Sequence, residues 1–332
     1  MRGARCAGAV ISRCVRWVRP CSTSPGSMRA DAARIEAPEQ NREGRPFMSP
    51  SLTPTASAPS SEPSVVNIAD MRKQWDEDGY LVLPKFYSDA QIDAAHAVLD
   101  KVWTDPASRV TVDDLDADRR LRIGEVDEVA RTTHRFKIND LYLEYDDIRR
   151  LALNERISPI LQALLDQPPV LCNSLNFAHG SAQDDHVDSL FMTPRSRGHL
   201  LAIWVALEDC HMDAGPLRYF PGSHKIEQYV FSNGTHHSVP EEMLQWKRYM
   251  QEQVAQHGLA PRTFAAKRGD VFIWSAYLLH GGSPINSPER TRKSIVFHYF
   301  SEKDSDALGL RLMRDPSGGY WQHRPHLAVP GS

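Results

Sequence analysis

The chain has 332 residues, 41% of them hydrophobic, and a formal net charge of −3. That apolar content builds one large core or two modest ones, and the near-neutral balance, with no basic stripe, excludes the electrostatic footprint of a nucleic-acid binder. The longest apolar runs, such as LLAIWVAL at 200–207, are far too short to cross a bilayer, so no membrane partner is expected either.

Residues 1–30 carry Arg2, Arg5, Arg13, Arg16, Arg19 and Arg29 and no acidic residue, a bias shared by organellar transit peptides and by GC-rich DNA translated upstream of a true start at Met28 or Met48. SPSLTPTASAPSSEPS at 49–64 is a Pro/Ser linker with too little apolar surface to offset the entropy of ordering. A disordered extension is therefore expected over 1–64 and one catalytic domain over 65–332. The five cysteines show no C-x-x-C spacing, and Cys172 and Cys210 lie in apolar segments as small buried hydrophobes. A reducing compartment follows, the cytoplasm, or the mitochondrion if 1–30 is a transit peptide.

The folded part opens with a short strand, YLVLP at 80–84, ended by proline. Ser88 and Gln91 form a capping-box pattern ahead of a helix whose apolar face is Ile92, Ala95, Leu99 and Val102. A second helix is predicted over about 154–166, stopped by QPP. From 170 onward short β-like runs take over: VLCNSLNFA, HLLAIWVALE, VFIWSA and SIVFHYF, separated by Gly, Pro, Asn and Asp. That texture predicts a sandwich or barrel. One helix interrupts it, with Ser238 and Glu241 as a capping box, Pro240 in its first turn and Gly258 after it; its position predicts either a lid over the barrel mouth or a plain structural insertion.

Two His-x-Asp pairs compete for chemistry, His186 with Asp188 and His211 with Asp213. A mononuclear iron site of the facial-triad type needs two histidines and one carboxylate on one side of the ion. On extended backbone, residues i and i+2 point the same way, so His-x-Asp can supply two of them. The third must return from a distant strand, and His280 does so after VFIWSAYLL, followed by Gly281 and Gly282, where backbone can approach closely. His211 and Asp213 lie in EDCHMDAGPL, a turn-rich stretch where solvated polar residues are the norm. Spacing alone leaves both pairs open.

Taken together, DGYLVLPKFYS, FKINDL, HVDS, IWVALED, GPLRYFPGSH and HGGSPINSPERTRKSIVFHY resemble the phytanoyl-CoA dioxygenase family of iron(II)- and 2-oxoglutarate-dependent oxygenases, from about residue 70 to 300. The resemblance implies a mainly β fold with flanking helices, the double-stranded β-helix (a cupin-like jelly roll). It also implies His186, Asp188 and His280 as ligands of iron(II). Arg292, in TRKSIVF, would hold the distal carboxylate of 2-oxoglutarate, for which a planar, permanently charged guanidinium is suited; Arg290, two residues away, is the alternative. Lys137 and Trp204 match positions lining the cosubstrate pocket, with a core aromatic as the alternative for Trp204, and Ser283 would add a hydroxyl there. The implied reaction couples O2 and 2-oxoglutarate, with ascorbate as an accessory reductant, to hydroxylation of a C–H bond of a small organic substrate, releasing succinate and CO2. Relatives that halogenate lack the carboxylate that Asp188 supplies. The alternative is a cupin-like, non-catalytic small-molecule binding module. Substrate choice would rest with 105–136, the SLFMTPRSRGH loop and the inserted helix, with Arg195 and Arg197 as solvated surface charges.

Overall fold

The computed structural model describes residues 67–331, and the extension predicted over 1–64 lies outside the described residues. Helix α1 (Ile68–Asp78), capped by the Asn67 side chain, leads into β1 (Tyr80–Leu83). Helix α2 (Asp89–Val102) starts at Ser88, where both halves of the predicted capping box form. Next come β2 (Thr111–Asp114), β3 (Arg119–Arg122), α3 (Glu128–Thr133) and β4 (Phe136–Asn139). Helices α4 (Asp146–Ala152) and α5 (Ser158–Leu165) precede the long strand β5 (Pro169–Phe177). The rest of the barrel follows as β6 (Leu200–Ala206), β7 (Leu217–Tyr219), α6 (Met243–Gln256), β8 (Arg262–Phe264), β9 (Val271–Ser275), β10 (His280–Gly282) and β11 (Ser294–Ser301). The chain closes with α7 (Glu302–Ala307), β12 (Leu312–Arg314) and β13 (Tyr320–Gln322).

The strands form two sheets. The larger has the order β1-β9-β6-β11-β5-β4-β2-β3, antiparallel throughout, with β13 added in parallel at Val170 and Leu171 of β5 and β12 beyond it. The smaller is β10-β7-β8. Strand alternation gives the large sheet two apolar faces. One, with Leu81, Ile203, Ile273, Ile295 and Phe297, packs on Trp75, Ile92, Ile148 and Leu161 of the helices. The other, with Tyr80, Trp204, Phe272 and Val296, meets Leu217 and Tyr219 of the small sheet. The Tyr219 ring lies 4.7 Å from that of Tyr80 and 4.8 Å from that of Phe272. Two facing antiparallel sheets, with α1, α2, α4 and α5 on the outer side of the larger one, make the predicted jelly roll.

The structure departs from the sequence reading at four points. Within 105–136, residues 111–122 form a hairpin that the sequence did not announce, extending the large sheet and held by ion pairs, Arg120 on Asp113 at 2.6 Å and Arg119 on Asp114 at 3.6 Å. The helix expected from 154 begins at Ser158, since the Asn154 side chain instead accepts from the backbone N–H groups of Arg156 and Ile157 and caps a turn. The capping box at Ser238 and Glu241 does not form. A 3-10 turn over Pro240–Glu242 precedes α6, the Glu242 carboxylate binds Ser232, and the Ser238 N–H donates to the Leu190 carbonyl. Nor is α6 a lid. Its Trp246 and Met250 pack on Val187, Leu190, Leu279 and Phe220, the last alternating with the inward-facing Tyr219, so the helix buttresses the barrel from outside. Burying side chains of this size contributes about 1.5–3 kcal/mol each.

Candidate active site

His186 and His280 are neighbours by backbone pairing. They form an antiparallel bridge, with His186 N–H donating to the His280 carbonyl at 2.8 Å and His280 N–H to that of His186 at 3.0 Å. The segment before His186 can lie this close because β10 carries two glycines: a Cβ on Gly281 would stand 2.7 Å from Asp185 Oδ1 and 2.9 Å from the Gln183 carbonyl. Val187 is extended (φ −120°, ψ 140°), which puts His186 and Asp188 on one side, while its own side chain joins the apolar cluster under α6. Asp188 then opens a 3-10 turn, Asp188–Leu190.

All three side chains are buried, and their ligand atoms lie within 4.8 Å of one another. Asp188 Oδ1 stands 3.7 Å from Nε2 of both His186 and His280. Each imidazole is turned by its other nitrogen, His186 Nδ1 donating to the Asp184 carbonyl at 2.8 Å and His280 Nδ1 to that of Leu278 at 2.9 Å. Because a carbonyl only accepts, the proton sits on Nδ1 and the Nε2 lone pairs converge on Oδ1. Burial, reinforced by His280, pushes His186 down to about 4, so it is neutral and ready to ligate at physiological pH. Burial alone would raise Asp188, but His280, His298 and His186 outweigh it and hold the carboxyl below its ordinary range. The other oxygen, Oδ2, accepts from Trp274 Nε1 at 2.8 Å and faces His298 Nε2 at 3.6 Å.

Further along the interior, Arg292 is 3% exposed. One guanidinium nitrogen donates to the Gly215 carbonyl at 2.9 Å, the plane lies 5.6 Å from the Trp204 ring centroid, and Nε is buried without a partner. Burial pushes this guanidinium down to about 10, which still leaves it charged at neutral pH. A buried cation with unused donors fits a carboxylate ligand, and two histidines with a carboxylate and no thiolate fit iron(II).

A profile of the phytanoyl-CoA dioxygenase family matches residues 75–294, about two thirds of the chain. The chain belongs to that family. Among curated relatives it is 22% identical over 275 residues to the phytanoyl-CoA dioxygenase domain-containing protein 1 homolog of Caenorhabditis briggsae, covering 72% of this chain and 93% of that protein. Among solved structures it superposes on the non-heme alpha-ketoglutarate-dependent carbocyclase SnoK from nogalamycin biosynthesis with a TM-score of 0.53 and 16% identity, over 76% of this chain and 96% of that one. It also superposes on EctD from Sphingopyxis alaskensis with 2-oxoglutarate and 5-hydroxyectoine, with a TM-score of 0.51 and 21% identity over 79% and 83%. These structural likenesses establish the fold. By family, the chain is an oxygenase dependent on iron(II) and 2-oxoglutarate.

The structure distributes the remaining family-matched positions. Trp204 is buried on β6, facing inward beside Arg292, its Nε1 without a partner. Lys137 on β4 also faces inward, but its Nζ is paired with Asp113 Oδ2 at 2.8 Å, so it is not a free cation awaiting a ligand. Ser283 is half-buried, with its backbone N–H on the Pro216 carbonyl, next to the Gly215 that Arg292 binds. Arg290 is exposed on the loop before β11. His211 and Asp213 stay in a surface turn, 3.5 Å apart with side chains 50% and 47% exposed. Arg195 and Arg197 are both exposed, and Arg197 also contacts the His224 and Ile226 carbonyls and the Tyr277 ring. Cys172 and Cys210 are buried free thiols. Among the described residues no helix is long and apolar enough to cross a membrane.

Two side chains at the site escaped the sequence reading, Trp274 and His298. Both lie within predicted strands, and both occupy the inward parity, with Phe272 before Trp274 and Ser294 and Val296 before His298. A polar atom at the inward positions of an otherwise apolar strand was the available signal.

Proposed function

We propose that His186, Asp188 and His280 hold one iron(II), that Arg292 anchors the distal carboxylate of 2-oxoglutarate, and that the enzyme hydroxylates a C–H bond of a small organic substrate. In the overall reaction the C–H bond, O2 and 2-oxoglutarate yield an alcohol, succinate and CO2. Iron supplies oxygen activation; the protein supplies ligands, orientation and a dry interior. Trp204 walls the cosubstrate beside Arg292. Ser283, anchored next to Gly215, contributes to that end of the pocket, and Lys137, held by Asp113, adds positive potential to it. Asp188 fills the coordination position that a halide would need, which favours hydroxyl as the transferred group.

The observation that carries this reading is the convergence of two Nε2 atoms on one carboxylate oxygen, in an interior that also holds a buried, under-bonded guanidinium. A non-catalytic binding barrel has no use for that combination. The catalytic domain corresponds to the folded part, from about residue 65 onward, and a reducing compartment such as the cytoplasm suits the two free thiols.

The test is succinate formation from 2-oxoglutarate with and without iron(II), together with metal content of alanine variants. Iron-dependent succinate is expected, with iron lost from His186→Ala, Asp188→Ala and His280→Ala and retained in His211→Ala. Iron retained in His280→Ala, or lost from His211→Ala, overturns the ligand set.

A further inference from the structure

A 3.6 Å contact between Asp188 and His298, followed by three hydrogen bonds, links the carboxylate of the triad to the C-terminal segment. Asp188 Oδ2 faces His298 Nε2 at 3.6 Å, and His298 Nδ1 lies 3.0 Å from Asn173 Oδ1. Asn173 Nδ2 donates to Asp140 Oδ1 at 3.0 Å, and an Arg324 guanidinium nitrogen donates to Asp140 Oδ2 at 2.7 Å. Asp140 is fully buried, in the left-handed region at φ +58°, and the Arg324 side chain is only 11% exposed.

The direction of each bond is fixed from the far end. Paired with Arg324, Asp140 is a carboxylate and can only accept, so Asn173 must turn its NH2 toward it. That leaves Asn173 Oδ1, also an acceptor, for His298, so Nδ1 of His298 donates to it and the ring is held with its Nε2 edge toward Asp188. The segment bearing Arg324 is itself tied down. Tyr142 Oη donates to the Gln322 carbonyl at 3.0 Å, and Arg149 covers the Trp321 ring at 4.7 Å. The family match ends at residue 294, short of this segment.

We propose that Arg324 is a positioning residue for the metal centre, acting through Asp140, Asn173 and His298 on the outer oxygen of Asp188. Trp274 holds Oδ2 from one side and His298 stands on the other, and together they set the rotation of the carboxylate that leaves Oδ1 for the metal. Cutting this link frees His298 to turn and loosens one wall of that slot. This inference rests on the metal reading above.

The full chain is titrated with cobalt(II), whose visible absorption reports ligand geometry, and its thermal midpoint is recorded alongside. Asp188→Ala is expected to lose cobalt binding. Arg324→Ala and Asn173→Ala are each expected to raise the dissociation constant roughly tenfold, as outer-shell changes do, and to shift the visible bands. Arg324→Lys should restore most of the affinity, and the double variant should be no worse than either single one. Asn173→Ala leaves the Arg324–Asp140 pair intact, so it decides the matter if Arg324→Ala folds poorly. Wild-type affinity and spectrum in Asn173→Ala, with binding lost in Asp188→Ala, overturns the inference while leaving the metal site standing; additive losses in the double variant overturn it too. Unchanged cobalt binding in Asp188→Ala overturns the metal reading and the inference with it.

Discussion

Trp274 Nε1 donates to Asp188 Oδ2 at 2.8 Å, and this bond leaves Oδ1 facing both imidazoles. Trp274→Phe keeps a buried ring on β9 and removes only the donor. Partners of this kind typically matter by about 10- to 100-fold in metal affinity. The variant should fold and bind iron(II) at least about tenfold more weakly, measured by competition against a chelator of known strength. Wild-type affinity would show that the carboxylate orients itself without help.

Arg292 and Arg290 separate the cosubstrate anchor from a surface charge. Removing one partner of a buried charged pair costs about 3–5 kcal/mol, whereas an exposed charge is worth at most about 1. Arg292→Ala should therefore weaken 2-oxoglutarate binding by about two to three orders of magnitude, and Arg290→Ala should leave it near wild type. Calorimetric titration of the two variants reads this directly, and equal losses would exclude Arg292 as the sole anchor.

Gly281 lets the segment before His186 lie against β10. In Gly281→Ala the new methyl meets Gln183 and Asp185 at under 3 Å, so the segment must lift and carry His186 with it. Iron content per chain should fall well below that of wild type while far-ultraviolet circular dichroism stays the same. Full iron loading would mean that the loop adjusts without moving the ligand.

Asp113 lies between Lys137 Nζ at 2.8 Å and Arg120 Nε at 2.6 Å. Burial alone would raise its carboxyl, but Lys137 and Arg120 outweigh burial and hold it below the ordinary value. A group depressed in the folded state stabilises fully above its unfolded value, about 3.9, and loses that contribution as pH falls toward the folded value. Asp113→Asn should be less stable than wild type at neutral pH by about 3–5 kcal/mol, with the gap narrowing below about pH 4. Urea midpoints at pH 7 and pH 3 measure it; a gap that does not change with pH would remove Asp113 from the acid response.

The barrel strands were legible because 170–177, 200–206, 271–275 and 294–301 are apolar runs long enough to be buried on both faces. The hairpin over 111–122 was not, because TVDD and RRLR are too charged to alternate and become strands only when their charges pair across the sheet. Strands of three residues, such as Leu217–Tyr219 and Arg262–Phe264, exist through their partners and leave almost no local signal. At the site, His186, Asp188 and His280 were legible from spacing with the family resemblance. Asn173 and Asp140 were not, since their roles depend on neighbours more than 100 residues away, His298 and Arg324. The pairing of Lys137, read as lining the cosubstrate pocket, was not legible because its partner Asp113 lies in the hairpin that went unrecognised.

The two histidines that would hold the metal are joined to each other by a pair of backbone hydrogen bonds, and that changes what losing the ion means. In small metal domains the ion assembles its own cage, and folding and loading are one event. Here two of the three ligands are already joined through their backbones, so little conformational entropy remains to be lost when iron enters, against about 1–2 kcal/mol for each residue that a loop site would have to order. The expected outcome is a chain that stays folded when a chelator removes iron and takes it up again on its return. The fold then draws its stability from the barrel core, and the metal is needed for the chemistry alone.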